Sequence, residues 1–95
     1  MHLSFVASVM VRYSSHAQRR MHERGVTKAE VEGVLRRPLA VKETRYGRRV
    51  ACGSPDDRDK YTVVIFEENA EDLIVITALK VDRDRLERYG FTRVR

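Results

Sequence analysis

The hydrophobic period of the sequence changes at Pro38. Before this residue, apolar side chains recur every three or four positions, which is typical of amphipathic helices. After it, they alternate or run almost continuously, which is typical of strands. Proline ends a helix because it lacks the backbone N–H and its ring clashes with the preceding turn. The sequence therefore predicts helices in the first part of the chain and a sheet in the second.

Two helices before Pro38 carry residues that mark their ends. Ser14 or Ser15 is a natural N-cap for the first helix, and Gly25 can adopt the left-handed conformation that ends it. Thr27 and Glu30 have the spacing of a capping box at the start of the second helix. The residues predicted to form the buried faces of the two helices are Tyr13, Ala17, Met21, Val31, Val34 and Leu35.

The strands after Pro38 are separated by turn residues. Residues 39–52 form a plausible hairpin that turns at Gly47, and residues 60–68 and 72–81 are β-branched and central in the predicted sheet. Asp82 then caps a short last helix that ends at Gly90. A short strand through Val9 to Tyr13 is also expected at the start of the chain.

Ninety-five residues suffice for one modest hydrophobic core, so we expect a single domain over residues 1–95. The order of elements predicts an α+β fold. In it, two N-terminal helices pack on one face of a three- to four-stranded antiparallel sheet, and a short C-terminal helix follows. The opposite face of the sheet, or its rim, is expected to carry four exposed basic residues, namely Arg45, Arg48, Arg49 and Lys80.

Positive charge is concentrated in the N-terminal half. Residues 1–50 hold eleven lysines and arginines against four acidic residues, a net charge of +7, whereas residues 51–95 hold eight against ten, a net charge of −2. Fifteen of the nineteen basic residues are arginines. The planar guanidinium can hold a phosphate through two hydrogen bonds, although a GC-rich genome also favours arginine. Both explanations remain open at this point.

Cysteine and histidine content limits other site types. The single cysteine, Cys52, excludes an intramolecular disulfide and a cysteine-rich metal cluster, and it fits a reducing cytoplasm. His2 and His22 do not share a face with His16 at metal-binding spacing, so we predict no metal and no cofactor.

The first ten residues are too short to span a bilayer and lack a basic leader, so no membrane partner is expected. They start a strand or form an extension upstream of a natural start at Met10.

The stretch HAQRRMHERGV, residues 16–26, resembles the HAxxRMxERGI signature of a widespread bacterial family of small proteins of unknown function. Every fixed position is met, with Val26 in place of isoleucine. That family is similar to the BrnT toxins and, more distantly, to the RelE/ParE group of ribonuclease-like folds. This chain lacks the tryptophan-containing opening of BrnT, and Arg24 stands where BrnT has a histidine. The resemblance implies a RelE/BrnT-like fold, a ribonuclease toxin and an antitoxin partner.

Residues of the first helix provide groups for metal-independent RNA cleavage. This reaction needs a base for the 2′-hydroxyl proton, cations for the charge that develops on the phosphate, and an acid for the leaving oxygen. His16 is the candidate base, and Arg20 and Arg24 follow it at intervals of four residues, so all three lie in one stripe. Glu23 and Tyr46 are candidates for the second proton transfer.

Four more cations are candidates for nucleic-acid binding. Arg45, Arg48, Arg49 and Lys80 are predicted to extend the cationic surface to an RNA strand. Structural roles are the alternative for all of these residues: a histidine at a helix start is often a cap, helix arginines often pair with nearby carboxylates, and charges at a hairpin tip are often only solvated.

Two hypotheses therefore follow from the sequence. In the first, the chain is a small cytoplasmic toxin-like ribonuclease that acts on RNA and is inhibited by an antitoxin protein. In the second, it is a non-catalytic module whose basic face binds nucleic acid or another protein.

Overall fold

The computed structural model of the protein describes residues 10–69 and 71–91. Within these residues, five strands and three helices follow one another: β1 (Met10–Tyr13), α1 (Ser15–Arg24), α2 (Lys28–Arg36), β2 (Ala40–Glu43), β3 (Arg48–Cys52), β4 (Tyr61–Glu68), β5 (Asp72–Val81) and α3 (Arg83–Leu86). Short 3₁₀ turns at Arg45–Gly47 and Glu87–Tyr89 join β2 to β3 and extend α3. The predicted α+β class and element order are confirmed.

The helix ends follow the predicted capping residues. Ser14 is the N-cap of α1, where its Oγ accepts a hydrogen bond from the backbone N–H of Ala17 (3.0 Å), and Gly25 ends the helix with φ 69°. At the start of α2, Thr27 and Glu30 bond to each other's backbone N–H groups in a capping box. Each cap satisfies donors that the first helical turn leaves without partners. Local chemistry therefore sets where both helices begin.

The sheet has five strands in the order β1-β5-β4-β3-β2. Four strands form the antiparallel meander that the sequence predicts, and β1 adds a fifth strand, parallel to β5, with Met10 opposite Asp72. The expected three- to four-stranded antiparallel sheet is thus close to the observed one, and the difference lies at the β1 edge. The sequence predicts a strand through Val9 to Tyr13, of which Val9 lies outside the described residues, but strand pairing across 62 residues leaves no local signal.

Two hydrophobic clusters lie on opposite faces of the sheet. The first lies between the sheet and helices α1 and α2, and includes Ala17, Met21, Leu35, Val64, Phe66 and Val75. The second lies between the other face and the C-terminal segment, and includes Val50, Tyr61, Val63, Val81, Leu86 and Phe91. Both faces of β4 are therefore buried, which explains why the sequence of this strand is almost continuously apolar.

The expected distribution of basic residues on the sheet is partly wrong. A bulge in β5 leaves Ile76 between the pairs Thr77–Ile65 and Val75–Phe66, which shifts the alternation of side chains. Lys80 consequently lies on the face covered by the helices, where it contacts Glu30 of α2. None of the helices in the described part of the chain has the length and hydropathy of a membrane-spanning helix.

Candidate nucleic-acid interface

Helix α1 exposes all three residues of the predicted catalytic stripe, His16, Arg20 and Arg24. His16 and Arg20 are exposed and lie one helical turn apart, while Ala17 and Met21 of the same helix are buried against the sheet. The guanidinium of Arg20 (Nη1) is 3.5 Å from Oε1 of Glu23. An exposed pair at this distance is weak, at about 0.5 kcal/mol, so Arg20 can exchange Glu23 for another anion.

Arg24, the third residue of the stripe, contacts the sheet. Its Nη1 donates a hydrogen bond to the backbone carbonyl of Ala78 in β5 (3.3 Å). Ala78 lies just after the bulge, where one strand residue has no partner across the ladder. The bond joins the C-terminal end of α1 to the middle of the sheet, so Arg24 has a structural contact that His16 and Arg20 lack.

Lys80 is the centre of an ion-pair cluster that joins three segments. Its Nζ is 2.7 Å from Oε2 of Glu30 in α2 and 3.7 Å from Oδ2 of Asp56 in the β3–β4 loop. The hydrogen bond to Glu30 is the main cause that raises the pKa of Lys80 and lowers the pKa of Glu30. Hydrogen bonds from the backbone N–H groups of Lys60 and Arg58 lower the pKa of Asp56. We call these three charged residues the Lys80 cluster.

The two arginines of β3 lie on opposite faces of the sheet because they are consecutive in one strand. Arg48 Nε is 3.0 Å from Oε2 of Glu67, its partner across the β3–β4 ladder. Arg49 Nη1 is 3.0 Å from Oε1 of Glu68, and its Nη2 is 3.5 Å from Oε2 of Glu43. Each guanidinium therefore has a carboxylate partner, and only Arg48 shares a face with the C-terminal segment.

A groove of about 530 Å³ lies between the β2–β3 hairpin and the C-terminal segment. We call it the hairpin groove. Val50 and Ile65 form its apolar floor, and Lys42 Nζ closes one side by donating to the carbonyl of Gly90 (2.8 Å). Its remaining lining consists of charged, polar and aromatic residues: Glu43, Thr44, Arg45, Tyr46, Arg48, Arg88 and Tyr89.

The rim of the hairpin groove carries cations and an exposed aromatic ring. Arg45 and Arg88 have no ion pair with any of the described residues. Between Arg45 and Gly47, Tyr46 is 88% exposed and has a left-handed backbone, with φ 64° and ψ 31°. Arginine forks and a solvent-facing aromatic ring are the groups that hold phosphates and bases of single-stranded nucleic acids.

The eight residues predicted from the sequence therefore occupy separate places. Arg45 and Arg48 come together in the hairpin groove, whereas Arg49 lies on the other face of the hairpin. The stripe residues His16, Arg20 and Arg24 are on α1, which packs on the face of the sheet opposite the hairpin groove. Lys80 belongs to the Lys80 cluster. Sequence reasoning missed three groove residues, Lys42, Arg88 and Tyr89. A usable signal was present: Leu86 and Phe91 are apolar residues around a capping glycine, so the segment that carries Arg88 packs on the sheet.

The fold raises the pKa of two other ionisable groups, Tyr13 and Cys52. Tyr13 donates a hydrogen bond to Oε2 of Glu32 (2.7 Å), and burial, reinforced by this bond, raises the pKa of Tyr13 well above its ordinary value. Burial also raises the pKa of the Cys52 thiol, which disfavours the reactive thiolate. Across residues 10–69 and 71–91, no three histidine, cysteine, aspartate or glutamate side chains are grouped as ligands for one metal ion.

Comparison with known proteins identifies the class of this chain. The family described as "Domain of unknown function (DUF4258)" matches residues 13–80, and the chain belongs to this family. The fold is similar to that of the Brucella abortus ribonuclease toxin BrnT in its crystal structure, with a TM-score of 0.60 and 22% sequence identity over 79% of this chain and 99% of that chain. The sequence matches no curated protein.

These findings confirm two predictions at a coarse level: a family of unknown function and a BrnT-like fold. At 22% identity the likeness to BrnT is one of fold.

Proposed function

We propose that this protein is a toxin-like ribonuclease that cleaves RNA without a metal ion. The observation that carries the proposal is the exposed pair of His16 and Arg20, one helical turn apart on the outer side of α1. The similarity to a protein named as a ribonuclease toxin supports RNA as the substrate. A general base and a cation in one exposed stripe are the minimum for attack of a 2′-hydroxyl on its own phosphodiester.

In this reaction His16 takes the proton of the 2′-hydroxyl, and the 2′-oxygen forms a bond to phosphorus. The bond from phosphorus to the 5′-oxygen breaks, and that oxygen takes a proton from water. Arg20 exchanges its weak ion pair with Glu23 for the non-bridging oxygens and stabilises the negative charge that develops on them. The products are a 2′,3′-cyclic phosphate and a free 5′-hydroxyl, and His16 then gives its proton to the hydroxide that remains after water has protonated the 5′-oxygen.

The cations outside α1 take different parts in the proposal. Arg45 and Arg48 provide phosphate contacts in the hairpin groove, whereas Arg49, on the other side of the same hairpin, contacts RNA only after it leaves Glu43 and Glu68. We assign to Lys80 and Arg24 the structural contacts described above. An antitoxin protein that covers these basic residues in the cytoplasm is the partner that a toxin of this kind requires.

A non-catalytic nucleic-acid-binding module is the second candidate. Specific contacts favour it: Arg24 is bonded to Ala78 and Arg20 to Glu23, so His16 is the only residue of the α1 set without a described partner. The hairpin groove, with its cations and exposed ring, would serve such a module without any contribution from α1.

Cleavage of a short labelled RNA in EDTA separates these two candidates. We expect the wild-type protein to release fragments that end in a 2′,3′-cyclic phosphate, and His16→Ala to slow this release about 100-fold, which is the usual contribution of a general base. Arg20→Ala is expected to slow it about tenfold to 100-fold, because one cation is removed from the charge that develops.

Matched controls come from the same helix. His22→Ala and Arg19→Ala remove an imidazole and a guanidinium that are also exposed on α1 but lie outside the stripe, so both should keep at least half of the wild-type rate. All four variants should unfold at nearly the wild-type urea concentration, because exposed substitutions of this kind change stability by about 0.5 kcal/mol or less. RNA that stays intact with the wild-type protein would contradict the catalytic proposal and favour the binding module.

A further inference from the structure

We propose that Tyr46 is a stacking platform for an unpaired base, so that the hairpin groove takes single-stranded RNA rather than duplex. This inference rests on the proposed RNA-directed function. It concerns a site separate from His16 and Arg20, and it names a substrate class that the cleavage chemistry alone does not select.

No contact with the described residues compensates for the strained backbone of Tyr46. Its backbone is in the left-handed region, at φ 64°, which residues other than glycine, asparagine and aspartate rarely adopt. Its ring is 88% exposed, and its hydroxyl makes no hydrogen bond to any residue in the described ranges. A turn built only for folding favours glycine or asparagine at this position. Backbone strain at an exposed aromatic residue is typical of a ligand contact.

The residues around Tyr46 complement a phosphate chain. Arg45 precedes it in the turn, and Arg48 follows it on the groove side of β3 with 45% of its side chain exposed. Across the groove, the C-terminal segment adds Arg88 and the half-buried ring of Tyr89. Against these three guanidinium groups, the described residues of the groove lining include one carboxylate, that of Glu43, and Glu67 pairs with Arg48 outside the lining. Positive charge therefore exceeds negative charge where the ring projects.

A single strand fits this arrangement better than a duplex. The bases of a duplex are stacked on one another, and the deep major groove of A-form RNA hides their edges, so an outlying ring has no base face to contact. An unpaired base can leave its stack and lie on the tyrosine ring while the neighbouring phosphates of the strand contact the arginines. Stacking of this kind changes affinity by about fivefold to 100-fold for each base when the ring is removed. The apolar floor of Val50 and Ile65 supports the sugar or a second base.

The test measures binding without cleavage. Full-length protein is titrated against a labelled 2′-O-methyl octanucleotide, its duplex, and the same strand with abasic positions. Because 2′-O-methyl groups block attack on phosphorus, the result does not depend on His16. We expect the wild-type protein to bind the single strand at least tenfold more tightly than the duplex or the abasic strand. Tyr46→Phe should keep this preference, since the ring remains.

Two variants remove the ring while keeping the turn folded. Tyr46→Asn suits the left-handed backbone, and Tyr46→Leu retains apolar bulk, so each should lose about tenfold in affinity for the single strand while keeping the wild-type affinity for the abasic strand. Wild-type affinity for the intact strand in both variants would overturn the inference, as would equal binding of abasic and intact strands by the wild-type protein. Binding of a polyglutamate peptide with no binding of any oligonucleotide would also overturn it, in favour of a protein partner.

These outcomes are distinguishable from failure of the proposed function. Cleavage in EDTA that depends on His16, together with no effect of Tyr46, leaves the ribonuclease proposal standing and removes only the stacking platform. A strong preference for the single strand without cleavage would leave the stacking platform standing and contradict the ribonuclease proposal, since the groove then serves a binding module.

Discussion

The Lys80 cluster and the hairpin groove contain basic residues that look alike in sequence but have different surroundings. Lys80 is 2.7 Å from a carboxylate of α2 and near a second one in the β3–β4 loop, and its side chain is 25% exposed. Arg45 is exposed and has no ion pair with a described residue. The difference arises because packing brings Glu30 and Asp56 to Lys80 in β5, whereas no described carboxylate forms an ion pair with Arg45 in the hairpin turn.

This contrast indicates which positive charges remain available to a ligand. A cation held by two carboxylates would have to break both pairs before it binds a phosphate, and it links elements that are distant in sequence. A cation at a solvent-facing turn loses only hydration when it binds. We therefore expect substitutions in the Lys80 cluster to change stability and substitutions in the hairpin groove to change RNA affinity.

Charge reversal should give the largest separation between the two regions. Lys80→Glu places a third carboxylate beside Glu30 and Asp56, so we expect the free energy of unfolding to fall by about 2 kcal/mol, as is usual when a partly buried ion pair becomes a repulsive contact. Arg45→Glu makes the same change of charge at an exposed turn and should alter stability by about 0.5 kcal/mol or less. Urea unfolding at neutral pH measures both. Equal losses in the two variants would show that net charge, not local pairing, determines stability.

The pH dependence of stability offers a smaller but sharper comparison. Because the pKa values of Glu30 and Asp56 are lowered in the folded state, their contribution is present above the ordinary values of 4.5 and 3.8 and is lost as the pH falls through the lower folded values. Because the pKa of Lys80 is raised, its contribution is complete below 10.5 and is lost as the pH rises through the higher folded value.

The stabilising effect of the cluster is therefore expected to be constant from about pH 6 to pH 9. Lys80→Met should be less stable than the wild-type protein by about 0.5–1 kcal/mol at pH 7, a value typical of a partly exposed pair. The gap should narrow steadily below pH 4. Urea titrations at several pH values measure it, with Arg45→Met as the matched variant whose small difference from the wild type stays flat. A gap of constant size down to pH 2 would contradict the assigned pairing.

The smallest effect is expected at the turn itself. Tyr46→Asn relieves the left-handed strain of the backbone and removes no described contact, so it should stabilise the protein by about 0.5 kcal/mol. The same variant is the one expected to lose single-strand affinity. A gain in stability together with a loss of binding in this variant is a trade-off typical of functional residues. A loss of stability would instead mean that the Tyr46 ring makes a stabilising contact within the protein.

Most of the fold could be predicted because its determinants are local. Ser14, Gly25, Thr27 and Glu30 act within one helical turn of the ends that they define, and the hairpin turns where Gly47 predicts it. The parallel pairing of β1 with β5 could not be predicted, since its partners are 62 residues apart. The bulge at Ile76 was not predicted either, although it lies between strands that are adjacent in sequence, and it reversed the expected face of Lys80.

The candidate site was less accessible to sequence reasoning. Spacing alone predicted one stripe with His16 and Arg20 beside the buried residues of α1, and both residues are exposed. It could not show that Arg24 contacts the carbonyl of Ala78, or that Arg45 and Arg88 meet across one groove, because both depend on contacts over more than 40 residues. The catalytic roles of the stripe remain predictions.

The most direct test compares the RNA affinity of Arg45→Ala and Lys80→Ala, which each remove one positive charge. In titrations of a 2′-O-methyl single strand over a range of salt concentrations, Arg45→Ala should weaken binding about threefold to tenfold. It should also reduce the slope of log affinity against log salt by about 0.7, the value for one phosphate contact on a single strand. Lys80→Ala should bind within about twofold of the wild type with an unchanged slope, because its charge is already paired. Equal weakening and equal slopes in the two variants would contradict the assignment of the hairpin groove as the RNA surface.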